Sequence, residues 1–100
     1  MAKIDFTQKM AKIGAFCKKH HIASLALFGS ILTSHFTPSS DVDILVRFEK
    51  EYTPTLFDLV DMESELSAIV GQRVDLKTPN DLSPYFRDDV LSKAKIIYGT

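Results

Sequence analysis

The segment "LFGSILTSHFTPSSDVDILVRF", Leu27 to Phe48, places Asp41 and Asp43 at the head of an otherwise apolar run. In a strand, side chains alternate, so Val42, Ile44 and Val46 share one face while Asp41, Asp43 and Leu45 share the other. At the usual rise per residue the alpha carbons of Asp41 and Asp43 stand about 6 to 7 Å apart, close enough for both side chains to reach one ion. This strand therefore needs a core against one face and water, a counter-charge or a cation against the other.

The rest of the chain supplies that core. Residues 5–19 carry Phe6, Met10, Ile13 and Cys17 on a helical stripe, which predicts a first helix despite Gly14. "IASLALF" is a short apolar run of strand length that stops at Gly29. Ser30 to Phe36 reads as a short helix or an irregular turn, and "TPSS" as a surface loop. Thr55 to Val70 predicts a helix turning Leu56, Leu59, Val60, Leu66, Ile69 and Val70 to the sheet, started by Thr55 with Asp58 and stopped at Gly71. "QRVDLKT" reads as a third strand, in which Arg73, Asp75 and Lys77 alternate with Val74 and Leu76. After the turn signal Pro79-Asn80, Leu82 to Lys95 predicts a last helix packed through Leu82, Phe86, Val90 and Ala94, helped by Tyr85 and Leu91. Ile96 to Tyr98 closes the core as an extended tail. A chain of 100 residues suits one compact domain spanning 1–100, so a large acceptor has to come from another molecule.

Charge and cysteine usage exclude several function classes. The formal net charge of -1 leaves no global electrostatic footprint for DNA or RNA, so no direct nucleic-acid binding is expected. No apolar run suits a signal peptide or a membrane span, which makes a soluble, cytoplasmic protein the expectation. Cys17 is alone, excluding an internal disulfide and a thiolate zinc cluster; its spacing marks it as a buried helix residue.

Two strand acids can simply face water or pair with cations, as surface aspartates commonly do. Asp75 weakens that reading. Three aspartates at polar-facing strand positions repel one another if they converge, an arrangement that asks for a bound cation. Hard carboxylate oxygens suit Mg²⁺, which also binds phosphate, so the chemistry indicated is metal-assisted phosphoryl or nucleotidyl transfer with Asp41, Asp43 and Asp75 as metal-binding and catalytic residues. Gly29-Ser30 supplies the other half. A glycine directly after a strand lets backbone approach closely, and the Ser30 hydroxyl with nearby N–H groups makes a small phosphate nest. The glycine and lysine pattern of the usual ATPase phosphate loop is absent.

With "LFGS" before "SSDVDILVRF", then "LFDLVDMESELSAIV", "RVDLKTP" and "YFRDDVLSKAKIIYG", the chain resembles a minimal nucleotidyltransferase (MNT) domain of the DNA polymerase beta superfamily over most of its length. The resemblance implies a fold of the α/β class (α+β type), a small mixed sheet flanked by helices. It implies catalytic or metal roles for Asp41, Asp43 and Asp75 with Mg²⁺ as cofactor, and contacts from Gly29 and Ser30 to the phosphates of ATP. It also implies a helical HEPN ribonuclease toxin as partner in a hetero-oligomer, with transfer of AMP to a tyrosine hydroxyl of that toxin. An MNT-fold antitoxin that acts by binding alone is the alternative, and a small-molecule nucleotidyltransferase a third reading. The family often follows Gly-Ser with an arginine-containing segment; this chain has "ILTS" at Ile31 to Ser34, which removes a bidentate phosphate clamp. Arg47, Arg73, Arg87, Lys77 and a partner's basic residue are the candidates to replace it.

The remaining polar and aromatic residues read structurally. His20 and His21 lack metal spacing, and His35 reads as an exposed loop residue. Tyr85 and Phe86 read as core and rim packing, Lys93 and Lys95 as helix-end charges, and Asp61 to Glu65 as a solvated helix face.

Overall fold

The computed structural model of the protein describes residues 4–99. A 3-10 turn at Phe6–Lys9 leads into α1 (Met10–Lys19), β1 (Ile22–Phe28) and a 3-10 turn at Gly29–Leu32. A loop then reaches β2 (Val42–Phe48), followed by α2 (Leu56–Val70) and β3 (Val74–Lys77). A 3-10 turn at Pro79–Asp81 precedes α3 (Pro84–Lys93) and β4 (Lys95–Gly99). The sheet runs β3-β2-β1-β4, with β1 antiparallel to both β2 and β4 and β2 parallel to β3. The fold is thus the small mixed sheet flanked by helices that the MNT resemblance implies. Among the described residues no helix is long and apolar enough to cross a membrane.

Alternation along β2 decides which face is the core. Val42, Ile44 and Val46 are fully buried and meet Ile13, Phe16 and Cys17 of α1 and Met62, Leu66 and Val70 of α2. Burial also pushes the Cys17 thiol up to about 12, so it stays protonated and inert. On the opposite face a smaller cluster forms, in which Phe28, Leu45 and Leu82 pack with Val90, Leu91 and Ala94. Asp43 lies on that second face, one alternation from Leu45.

A parallel strand pair needs a crossover, and α2 supplies it. Its ends carry clear chemical signals. Thr55 N donates to Asp58 Oδ2 at 2.8 Å while Asp58 N donates to Thr55 Oγ1 at 3.1 Å, a reciprocal cap. Gly71, at φ +84°, takes the left-handed position that closes the helix. Between those ends α2 holds the outer edge of β3: Val74 N donates to Ser67 Oγ at 2.9 Å and Leu76 N to Glu63 Oε2 at 2.9 Å. Asp75 sits between these two tethered residues, so α2 fixes its position. Glu63→Ala leaves the Leu76 N–H without its acceptor and is expected to cost about 1 to 3 kcal/mol. Urea unfolding checks this, with Glu63→Gln, which keeps an acceptor oxygen, expected near the parent value.

Several sequence expectations need correction. The "solvated" segment Asp61 to Glu65 contains Glu63, tied to β3, and Glu65, whose Oε1 meets His20 Nε2 at 2.9 Å and whose Oε2 meets Lys19 Nζ at 3.2 Å. Met10 is exposed, and Phe16 takes the core place on α1. On α2, Leu56 and Val60 face solvent and the buried stripe is Met62, Leu66 and Val70. On α3, Tyr85 (93% exposed) and Phe86 (64% exposed) are outside the core. The tail 96–98 is part of an edge strand hydrogen-bonded to β1.

Candidate active site

Strand register brings the sequence-predicted residues to one end of the sheet. Asp43 is opposite Phe28 on the β1 side and opposite Asp75 on the β3 side. Immediately after Phe28 the chain turns at Gly29, whose φ of +76° favours a residue without a side chain. The turn brings Gly29 against the Asp43 side chain and lets the Ser30 N–H hydrogen-bond the Asp43 carboxylate. Asp41 stands one residue ahead of β2 and is exposed. Its approach is anchored by Val42 N donating to Arg73 O at 2.8 Å and by the Gln72 side-chain amide donating to Ser40 O.

Electrostatics identify Asp43 as the focus of the site. Burial raises its carboxyl above the ordinary range, and repulsion from Asp75 and then Asp41 adds to this; Lys77 and the Ser30 N–H act in the opposite direction. Lys77 Nζ lies 3.5 Å from Asp75 Oδ1, which among the described residues is the one side-chain ion pair the three aspartates make. The donor set is entirely carboxylate oxygen, and its mutual repulsion is what a divalent cation relieves. Among the described residues no group of three acidic, histidine or cysteine side chains stands ready as a metal cage. The residues fit Mg²⁺ in its usual manner, one or two carboxylates with the remaining positions filled by phosphate and water.

Sequence reasoning missed the residues beside this end of the sheet. A cavity of about 490 Å³ opens at Gly29, lined by Phe28, Leu32, Thr33, Asp89, Val90 and Lys93. The volume lies within the roughly 300 to 1,000 Å³ typical of small-ligand sites. Thr33 Oγ1 donates to Ser30 O at 2.8 Å, so this wall is continuous with the Gly-Ser turn. A signal for the α3 side did exist: pairing "KIIYG" with "IASLALF" sets Lys95 opposite Leu27, which returns the end of α3 to the Gly29 turn.

Residues 10–97 match the family model described as a nucleotidyltransferase domain. This chain belongs to that family. Homology to protein adenylyltransferases makes it an enzyme of the nucleotidyl-transfer class. A Methanocaldococcus jannaschii protein named "putative protein adenylyltransferase" is 35% identical over 83 residues, covering 83% of this chain and 87% of the relative. The protein adenylyltransferase MntA of Thermococcus cleftensis is 36% identical over 70 residues, 70% of this chain and 69% of the relative. In fold the nucleotidyltransferase domain is similar to a chain from a solved complex of tri-AMPylated Shewanella oneidensis HEPN toxin with MNT antitoxin, at TM-score 0.68 and 20% identity, covering 96% of this chain and 74% of the other.

Proposed function

We propose that this nucleotidyltransferase moves AMP from ATP to a tyrosine hydroxyl of a HEPN-type toxin and so serves as its antitoxin. The observation that carries the reading is Asp43 held between the Gly29-Ser30 turn and Asp75, with its carboxyl raised by burial and by its acidic neighbours. The adenylyltransferase relatives support the donor chemistry, and the AMPylated complex of similar fold supports the partner.

In this reading the Gly29 and Ser30 backbone and the Ser30 hydroxyl receive the nucleotide phosphates. Asp41, Asp43 and Asp75 would hold Mg²⁺, which when bound neutralises phosphate charge and eases deprotonation of the acceptor. The tyrosine oxygen forms a bond to the α-phosphorus, the bond from that phosphorus to the bridging oxygen breaks, and pyrophosphate leaves. The phenolic proton passes to the Asp75 carboxylate, which Lys77 holds by its ion pair. Ser30→Ala removes one phosphate hydrogen bond and is expected to weaken nucleotide binding by about 1 to 2 kcal/mol. Titration calorimetry checks it.

A second reading, silencing of the partner by contact alone, is favoured by the segment after Ser30. Ile31 is buried in the main core and Leu32 packs against it, so this turn points apolar groups inward in place of the arginine-containing segment that the family resemblance implies. Labelled ATP, Mg²⁺ and a copurified HEPN-type partner separate the two. AMP transfer lost in the Asp41→Ala, Asp43→Ala double variant supports transfer, whereas inhibition of the partner unchanged in that variant supports contact.

A further inference from the structure

We infer that Lys93 is the nucleotide-phosphate clamp of this chain, replacing from α3 the arginine missing after Gly29-Ser30. The inference deepens the transfer reading and rests on it. A nucleoside triphosphate brings several negative charges to a turn that packs against the Asp43 carboxylate and opens on a cavity lined by Asp89, so a cation at the turn is needed to hold it.

Three of the basic residues named from sequence, Lys77, Arg87 and Arg47, are engaged or placed elsewhere. Lys77 pairs with Asp75 at 3.5 Å. The Arg87 guanidinium is bonded to backbone, Nε to Pro79 O at 2.9 Å and Nη2 to Leu82 O at 3.0 Å, and so locks the entry to α3. Arg47 lines a separate groove with Ser24, Ala26, Leu91, Ala94 and Ile96. It is four residues along β2 from Asp43, about 13 Å at the usual strand rise. Arg73 precedes β3 at the same end of the sheet, where its carbonyl accepts from Val42 N, but it is exposed and does not line the cavity at Gly29. Among the described residues lining the cavity at Gly29, Lys93 is the one cation.

Its present partner is easily exchanged. Lys93 Nζ lies 3.1 Å from Asp89 Oδ1, one helical turn away, and both side chains are mostly exposed. Such pairs contribute little to stability, so the ammonium can leave Asp89 for a phosphate at small cost. Asp89 lines the same cavity and opposes an anionic ligand there. It acts as a counterweight that holds Lys93 until nucleotide enters.

The test is calorimetric titration of the full chain with Mg²⁺ and a non-hydrolysable ATP analogue, at two salt concentrations. Lys93→Gln is expected to bind about tenfold more weakly and to show a shallower salt dependence. Lys93→Arg is expected near the parent affinity, and Asp89→Asn to bind more tightly than the parent. Lys12→Gln, on the exposed side of α1, controls for loss of charge alone. Parent-like affinity in Lys93→Gln, or Lys93→Arg as weak as Lys93→Gln, overturns the assignment while leaving nucleotide transfer intact. A parent chain that binds no nucleotide removes the transfer reading itself and the clamp with it.

Discussion

Asp43→Asn is expected to lower Mg²⁺-dependent AMP transfer by about a hundredfold to a thousandfold while making the folded protein more stable near neutral pH. Both effects come from one charge. In the active state that charge supports the cation and, through it, the charge that develops on the phosphate. Where no cation offsets it, the same charge is partly buried and repelled by Asp75 and Asp41. The sign follows from linkage. Asp43 has a folded pKa above its ordinary value of 3.8, so between the two values the folded chain binds more protons than the unfolded one. Its contribution therefore turns unfavourable as pH rises through that window, and the penalty persists at neutrality. Asparagine keeps the shape without the charge, so the variant melts higher near pH 7 and the gain shrinks below 3.8. Thermal melts across pH, paired with initial rates at saturating Mg²⁺ and ATP, measure both halves. A variant that loses activity and stability together would assign Asp43 a structural role instead.

The legible parts of this fold are those set by local chemistry. β1 is bounded as its apolar length and Gly29 imply, and α2 starts and stops at its Thr55 cap and Gly71. Strand alternation correctly put Asp43 and Leu45 on a face opposite Val42, Ile44 and Val46, and register then set Asp75 opposite Asp43; Asp41 stands just ahead of the strand. The misplaced residues are apolar ones on helices, where period alone admits more than one face. Leu56 and Val60 compete with the Met62, Leu66, Val70 stripe, and only packing against α1 and the sheet chooses between them. α3 presents a different problem. The sheet face beneath it carries the acids, so its apolar area is confined to Phe28, Leu45 and neighbours. That small patch holds Val90, Leu91 and Ala94 while Tyr85 and Phe86 remain outside. The same geometry hid the cavity, because its walls come from segments far apart in the chain, 28–33 and 89–93, which come together where β4 pairs with β1.

Gly29→Ala is the second large effect, and it tests whether the turn and the carboxylate form one device. Gly29 has φ +76°, a conformation that costs an L-residue about 1 to 2 kcal/mol. Strain alone does not distinguish it from Gly71, at φ +84°. The difference is space. A methyl group at Gly71 meets nothing within 4 Å, whereas at Gly29 it would be driven into Asp43 Oδ2, with Cγ at 3.1 Å and Cβ at 3.3 Å. Asp43 is short, is held by the Ser30 N–H and belongs to a central strand, so relief requires moving the carboxylate, the turn or both. Each movement separates the phosphate nest from the cation ligands. Both alanine variants are therefore expected to lose comparable stability from backbone strain, but only Gly29→Ala to lose transfer, by about a hundredfold. Urea unfolding and initial rates on the two variants give four numbers. Equal activity in both would mean that the close approach of Gly29 to Asp43 has no part in the reaction, and that the glycine serves the turn alone.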